Sequence, residues 1–414
     1  MSGPWLNGDG ASPSGALQGL RVLELGGRIA GPWCTKLLAD YGADVIKIEH
    51  PHGGDPARAW GPYRDDVPSI ECGGLFLHCN TNKRSLCIDH STRHGQQLVS
   101  TLAESADLVV EAGRPGALSR HEVAYDDLRE RNAKLVWIAI SNFGQDGPYR
   151  DWDASELTLY AMGGAMQTTG LPDREPLKLA HTVLQFHAGA VAATFAMGAL
   201  FAAEAAGTGQ LVDVSLLEVF TSSPDRASLN LVCEAYTGSV TFNRSAAPGW
   251  SILPTGVYPC ADGYVHFNAP LISWWPRFAE VVGKPELKTD PHFIDNLNDL
   301  RLKPEVDAML LEWTMQRTKK EVQAHSQERG FAASAVNTME DLFNDPHIVE
   351  RGFFVEVDHP EAGTLRYPGA PFRMSATPWR AGRAPLLGEH TAEILEPLGL
   401  DLAAVARMRE QGVV

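Results

Sequence analysis

The sequence predicts an α/β protein, with a large Rossmann-like domain built on a parallel sheet and a smaller α+β domain inserted into it. Three observations lead there. Strand-like apolar runs alternate with helical runs from residue 20 to residue 141, and such alternation gives parallel strands, because each strand returns over a helix. Near residue 225 that rhythm gives way to hairpin-like pieces and amphipathic helices. The length of 414 residues also exceeds one ordinary domain, at roughly 100 to 200 residues each.

The elements follow in order. Residues 20–25, LRVLEL, read as a strand, and the loop Gly26-Gly27-Arg28-Ile29-Ala30-Gly31-Pro32 leads into a helical run from Trp33 to Tyr41. Pro32 suits a first helical position and Gly42 the far end. Residues 43–49, ADVIKIE, return as a second strand and complete a βαβ unit. The pattern repeats with a strand at 85–90, a helix to about 105, a strand at 107–112, a short helix at 126–132 and a strand at 134–141. After the turn NFGQDGPY come helices at 155–168 and 185–206, the second stopping at Gly207. TGVYPC and GYVHFNA flank an Ala-Asp-Gly turn and read as a hairpin. Helices follow near 273–283, 303–317 and 319–329, then a helix from 339 and a hairpin over 353–369. The expected organisation is a flexible tail at 1–15, a large domain from 16–224 with 336–414, and a small domain at 225–335.

Composition narrows the partners. Apolar residues at 44% and charged residues at 21% are those of a folded globular chain. Lys and Arg number 35 against 51 Asp and Glu, a net charge of −16 without a basic cluster, so nucleic acid and anionic membrane are poor partners. The six cysteines form no C-x-x-C pair and read as free thiols of a reducing compartment, which makes the cytoplasm the expected location. The run Ala188–Ala203 is shorter than the roughly 20 residues of a membrane span, so a buried helix is expected. No metal site is expected: His181 and His187 stand six apart, and no H-e-x-x-H pattern occurs. A serine-hydrolase elbow is also absent.

In a chain this acidic, a phosphorylated ligand needs local cations and backbone N–H groups. The loop 26–32 sits between a strand and a helix start, where glycines let backbone approach a phosphate, and it carries Arg28. Alone it is equally a tight turn. Lys83 and Arg84 precede one strand, and Arg114 and Arg120 follow another. Each pair alone is an ordinary solvated charge pair; together at one sheet edge they outline a basic cleft, because ligands of open α/β sheets gather outside the carboxyl ends of the strands.

These segments resemble family III CoA-transferases, the group of formyl-CoA transferase, carnitine CoA-transferase and α-methylacyl-CoA racemase. GLRVLELGGRIAGPWCTKLLADYGADVIKIEHPHGGDPAR, NTNKRSLCIDH, GRPGALSR, YAMGGAMQTTGLPDREP, GTGQLVDVSLLE, GVYPCADGYV and DPHIVERGFFVEVDHPEAGTLRYPGAPFRMS carry the resemblance, in order along nearly the whole chain. It implies a Rossmann-like domain, a small domain and two subunits linked like rings. It also implies an acyl-CoA and a carboxylic acid as substrates, with coenzyme A held near His50, Lys83, Arg84, Arg114 and Arg120.

The resemblance also marks a departure. Family transferases carry a nucleophilic Asp at the start of the Ala-rich helix, and the matching segment VLQFHAG has Gln185 there. An amide has no ionised form at neutral pH and cannot serve as that nucleophile. The racemase pair is missing too, since its Gly-His-Asp segment matches Ala154-Ser155-Glu156. Gln185 can still donate a hydrogen bond to a thioester oxygen, while His187 and Glu156 are candidates for acid–base chemistry. For Glu156 the alternative is a carboxylate at a helix start, favoured by the helix dipole. Three functions remain in view: CoA transfer through another carboxylate or another mechanism, an acyl-CoA isomerase, hydratase or lyase, and a CoA-binding subunit whose homologous partner supplies the Asp.

Overall fold

The computed structural model describes residues 15–118, 123–222, 227–239, 252–269 and 272–414. The expected tail, Gly15 apart, lies outside them. The chain divides into two compact units, one from residues up to 164 with 178–227 and 351–414, the other from 165–177 and 228–350.

The first unit is built on six parallel strands: β1 (Arg21–Gly26), β2 (Asp44–Glu49), β3 (Arg84–Cys87), β4 (Leu108–Ala112), β5 (Val136–Ser141) and β6 (Leu211–Ser215). Their spatial order is β3-β2-β1-β4-β5-β6. Central β1 pairs on both sides, Leu23 facing Ile46 of β2 and Val109 of β4. Every residue of β5 is buried, as a parallel sheet covered on both faces demands, and this is why VWIAIS reads as an unbroken apolar run.

Four helices matter for the site: α1 (Ala30–Ala39), α2 (Arg93–Glu104), α3 (Glu156–Met162) and α4 (Val183–Ala206). On one side of the sheet Val99, Leu102 and Ala103 of α2 share a core with Leu23, Ile46 and Val109, joined by Ile394, Leu395 and Val405 from near the C-terminus. Helix α4 packs on α1. Its buried face is made of small residues, Ala188, Gly189, Ala192, Ala196, Ala199 and Ala203, spaced three and four apart as one helix face requires. Its other side leaves Phe195 59% and Phe201 79% exposed. By length and composition α4 could cross a membrane; its small-residue face on α1 makes it a core helix, buried on that face only.

Local differences from expectation have local causes. Helix α1 starts at Ala30, so Pro32 is its third residue, still within the first turn whose N–H groups have no helical partner. The helix expected over 155–168 ends at Met162, because Gly164 has φ +85°, a left-handed value that an α-helix cannot include. The short edge strand β6 lies in GTGQLVDVSLLE, where no strand is expected; its outer residues are exposed, so no apolar run announces it.

In the second unit, β7 (Ile252–Cys260) and β8 (Gly263–Ala269) form the anticipated hairpin, with β9 (Ala333–Ala335) added antiparallel to β8. Trp275 and Phe278, Val306 and Leu310 fill its own core from helices at 275–281 and 303–314 close to the expected ones, joined by Phe331 just ahead of β9. The hairpin expected at 353–369 is β10 (Phe354–Val357) with β11 (Leu365–Pro368), in the first unit.

Candidate functional site

From β1 the sheet builds outward through β2 and β3, and from β4 outward through β5 and β6. Loops leaving the carboxyl ends of β1 and β4 therefore diverge, and a crevice opens between them. A cleft of about 380 Å3 occupies that place, lined by Gly27, Arg28 and Ala30 after β1, Ala112 to Pro115 at β4, and Ser141 and Asn142 at β5. Two features bring these backbones close. Gly26 has φ +134°, and a Cβ there would lie 2.4 Å from the Ala112 carbonyl oxygen. Ala112 in turn stands beside Ile140.

The cleft is cationic within an acidic chain. Arg28, Arg114 and Arg150 line it, with Trp152, Asp153 and Gln185. Arg150 is oriented by donating to the Gln145 carbonyl at 2.8 Å and to Asp151 at 3.0 Å. Tyr149 and Trp152 stack with ring centroids 4.0 Å apart, and Phe143 meets both edge-on. Arg114 is held by Asp153, an exposed pair of small energetic weight. The resemblance implies coenzyme A as the ligand, and a phosphate placed in the cleft would compete with that carboxylate for the guanidinium. On that reading Asp153→Asn is expected to tighten coenzyme A binding about threefold to tenfold, an effect of roughly 1 kcal/mol; titration calorimetry giving weaker or equal binding would contradict it.

Gln185 occupies the third position of α4 and faces the cleft. Thr182 supplies no side-chain cap to this helix; Glu156 does so from a distance, its Oε1 accepting from the Leu184 N–H at 2.8 Å and the carboxylate also meeting the Gln185 N–H. Burial raises the Glu156 pKa, opposed by the Leu184 N–H and by Lys178, whose Nζ is 3.7 Å away. Glu156 and His187 are not among the residues lining the cleft. Glu156 supports the helix turn that presents Gln185, and half-buried His187 lies further along α4.

The expected basic cleft is only partly assembled. Arg28 and Arg114 line it, and Arg120 lies outside the described residues. Lys83 and Arg84 are turned inward. Lys83 is fully buried and donates to Glu24, Asn80 Oδ1 and the Pro32 carbonyl, each at 2.8 Å. Burial pushes its pKa down to about 8, against the pull of Glu24. Arg84 is paired with Asp44 at 2.5 Å and Glu393 at 3.2 Å, its side chain 8% exposed. The physical reason is the same for both: a strand start buries its side chains, and a buried cation persists only with carboxylate partners, which this chain supplies in excess. His50 is exposed, 3.8 Å from Asp89, and faces neighbours other than the cleft residues named above. Arg150 and Trp152 were not singled out by spacing; their signal was position, in the turn segment that follows β5.

The six cysteines are unpaired, and among the described residues no group of His, Cys, Asp and Glu could hold a metal ion.

Comparison with known proteins agrees with this architecture. The model of CoA-transferase family III matches residues 17–391. The chain is 34% identical to succinyl-CoA–D-citramalate CoA-transferase of Chloroflexus aurantiacus, over 97% of this chain and 99% of the relative. It is 31% identical to the BbsE subunit of succinyl-CoA:(R)-benzylsuccinate CoA-transferase of Thauera aromatica, over 95% of this chain and 97% of the relative. A crystal structure of a CAIB/BAIF family protein from Brucella suis superposes with TM-score 0.82 at 30% identity, covering 93% of this chain and all of the other. With the β-sheet order, the cleft at its reversal and a match across most of its length, the chain belongs to CoA-transferase family III, and is an enzyme of that family.

Proposed function

We propose that this protein moves coenzyme A from a dicarboxylic acyl-CoA, of the succinyl-CoA type, to the carboxylate of a second diacid. The observation that carries the reading is the cleft at the sheet's reversal point, where three arginines and the Gly27 backbone gather in a chain of net charge −16. Guanidinium groups suit the phosphates of coenzyme A and the free carboxylate of a diacid. The relatives' names point the same way, since citramalate and benzylsuccinate are both diacids.

Gln185 decides the chemical route. In this proposal the acceptor's own carboxylate oxygen attacks the thioester carbon, and the carbonyl electrons move onto oxygen, where the Gln185 Nε2–H donates a hydrogen bond. The C–S bond breaks, leaving a mixed anhydride and a CoA thiolate. The thiolate then attacks the acceptor's carbonyl carbon, the C–O bond breaks, and the donor acid leaves as a carboxylate. No net proton is taken up or released. Acceptor labelled with 18O in its carboxylate should pass one labelled oxygen to the released acid, with no adduct on the protein by intact mass after hydroxylamine or borohydride. Absence of transfer from succinyl-CoA to any diacid, or a carboxylate adduct on the chain, would sink this route.

A second reading rests on the same amide: a heteromer in which a homologous chain supplies the Asp, consistent with a relative named as a subunit. Full activity of the homodimer alone excludes it. The exposed Phe195 and Phe201 of α4 favour an assembly of copies, for which we propose the interlocked homodimer of the family. The six unpaired thiols support a cytoplasmic location.

A further inference from the structure

We propose that Asp55 is a positioning residue for the cleft, clamping Arg28 in a left-handed backbone conformation through a buried chain of charges that begins at Lys83. The inference rests on the cleft's binding coenzyme A.

Arg28 has φ +74°, a strained conformation for a residue with a Cβ, held only where the surroundings impose it. The imposing group is the Asp55 carboxylate. Asp55 Oδ1 accepts from the Arg28 N–H at 2.8 Å and from the Ala57 N–H at 2.8 Å. The same oxygen would lie 2.6 Å from a Cβ at residue 27, so Gly27 is the residue that lets the carboxylate come this close. Asp55 Oδ2 is 2.8 Å from Lys47 Nζ, both side chains fully buried. Lys47 continues to Glu24 Oε1 at 2.7 Å, and Glu24 Oε2 to Lys83 Nζ at 2.8 Å. Four buried charges of alternating sign thus run from the start of β3, through β1 and β2, to the loop that lines the cleft. A surface carboxylate could rotate away from the Arg28 N–H; one locked to a buried ammonium cannot do so without leaving that cation uncompensated.

The chain gives Lys83 a task different from direct contact with a ligand. It anchors Glu24, which anchors Lys47, which fixes the Asp55 carboxylate, and Arg28 lines the cleft from its left-handed backbone position.

The test separates the backbone from the side chain. Arg28→Gly and Arg28→Val both remove the guanidinium, but only valine resists a positive φ. In titration calorimetry with coenzyme A, Arg28→Gly is expected to bind about tenfold more weakly than wild type, and Arg28→Val at least about fivefold more weakly again. Asp55→Ala is expected to weaken binding about tenfold in the wild-type background and less than about twofold in the Arg28→Gly background, where glycine needs no clamp. Equal affinities of the glycine and valine variants, or an Asp55→Ala effect of the same size in both backgrounds, would overturn the clamp; if Asp55→Ala does not fold, the glycine–valine comparison decides alone. A wild-type protein that releases no heat with coenzyme A removes the coenzyme reading, and the proposal with it.

Discussion

Replacing Glu24 with Gln is expected to cost about 3 to 5 kcal/mol of folding stability, the loss that follows when one member of a buried ion cluster is neutralised. Glu24 is fully buried. Its two carboxylate oxygens accept from Lys47, Lys83 and the Thr35 hydroxyl. An amide of the same shape keeps one acceptor and presents an N–H₂ to a lysine, so two ammonium groups lose their shared counter-charge. Burial by itself would raise the Glu24 carboxyl, yet Lys47 and Lys83 outweigh it and hold the pKa at about 2. Against an unfolded value near 4.3, the folded pKa is depressed, so the stabilisation is complete above about pH 4.3 and lost as pH falls towards about 2. The two values differ by enough for roughly 3 kcal/mol. Urea melts at stepped pH should show wild type losing stability over that interval, and Glu24→Gln with a much flatter acid limb; a loss below about 1 kcal/mol at pH 7 would show that the cluster tolerates the amide.

Gln185→Ala is expected to lower kcat by about 100-fold to 1000-fold with little change in coenzyme A affinity, since a donor aimed at a developing oxyanion acts chiefly in the transition state. Gln185 stands in the first turn of α4, where it lines the cleft, and its loss leaves Arg28 and Arg114 untouched. Gln185→Asp carries the opposite expectation about route. With a carboxylate restored at the start of the helix, a covalent acyl or CoA adduct on that side chain should become trappable, and initial-rate patterns should turn from sequential to ping-pong. Unchanged kcat in Gln185→Ala would remove the amide from the mechanism; failure of Gln185→Asp to form any adduct would show that the surrounding cleft no longer suits the covalent path.

Much of the architecture was legible because parallel strands buried on both faces are rich in apolar residues. VWIAI is apolar without a break, LRVLEL and ADVIKIE are apolar apart from interspersed charged residues, and the helices between them follow from their spacing. Strand β6 was not legible. An edge strand with exposed outer residues has polar and apolar positions like any loop, and its place was settled by pairing with β5. The break after Met162 was legible in principle, since Gly163 and Gly164 stand in the sequence, but paired glycines are also tolerated within helices, and only the φ of +85° distinguishes the cases.

The site divides in the same way. Local sequence, read for spacing and family likeness, determined the glycine-rich loop 26–32, the arginine after β4 and the amide at residue 185, because each depends on residue type at a strand or helix end. Which cations face the cleft was decided by tertiary structure. Lys83 and Arg84 looked as available as Arg114, and the difference between them is the carboxylates that folding brings alongside: Glu24 from β1 and Asp44 from β2 draw the first two inward, whereas Arg114 meets exposed Asp153 on a loop. A charge surrounded by water needs no partner and a buried one does, so the burial of each cation, a property of the whole fold, determined whether it is tied into the interior or left at the cleft.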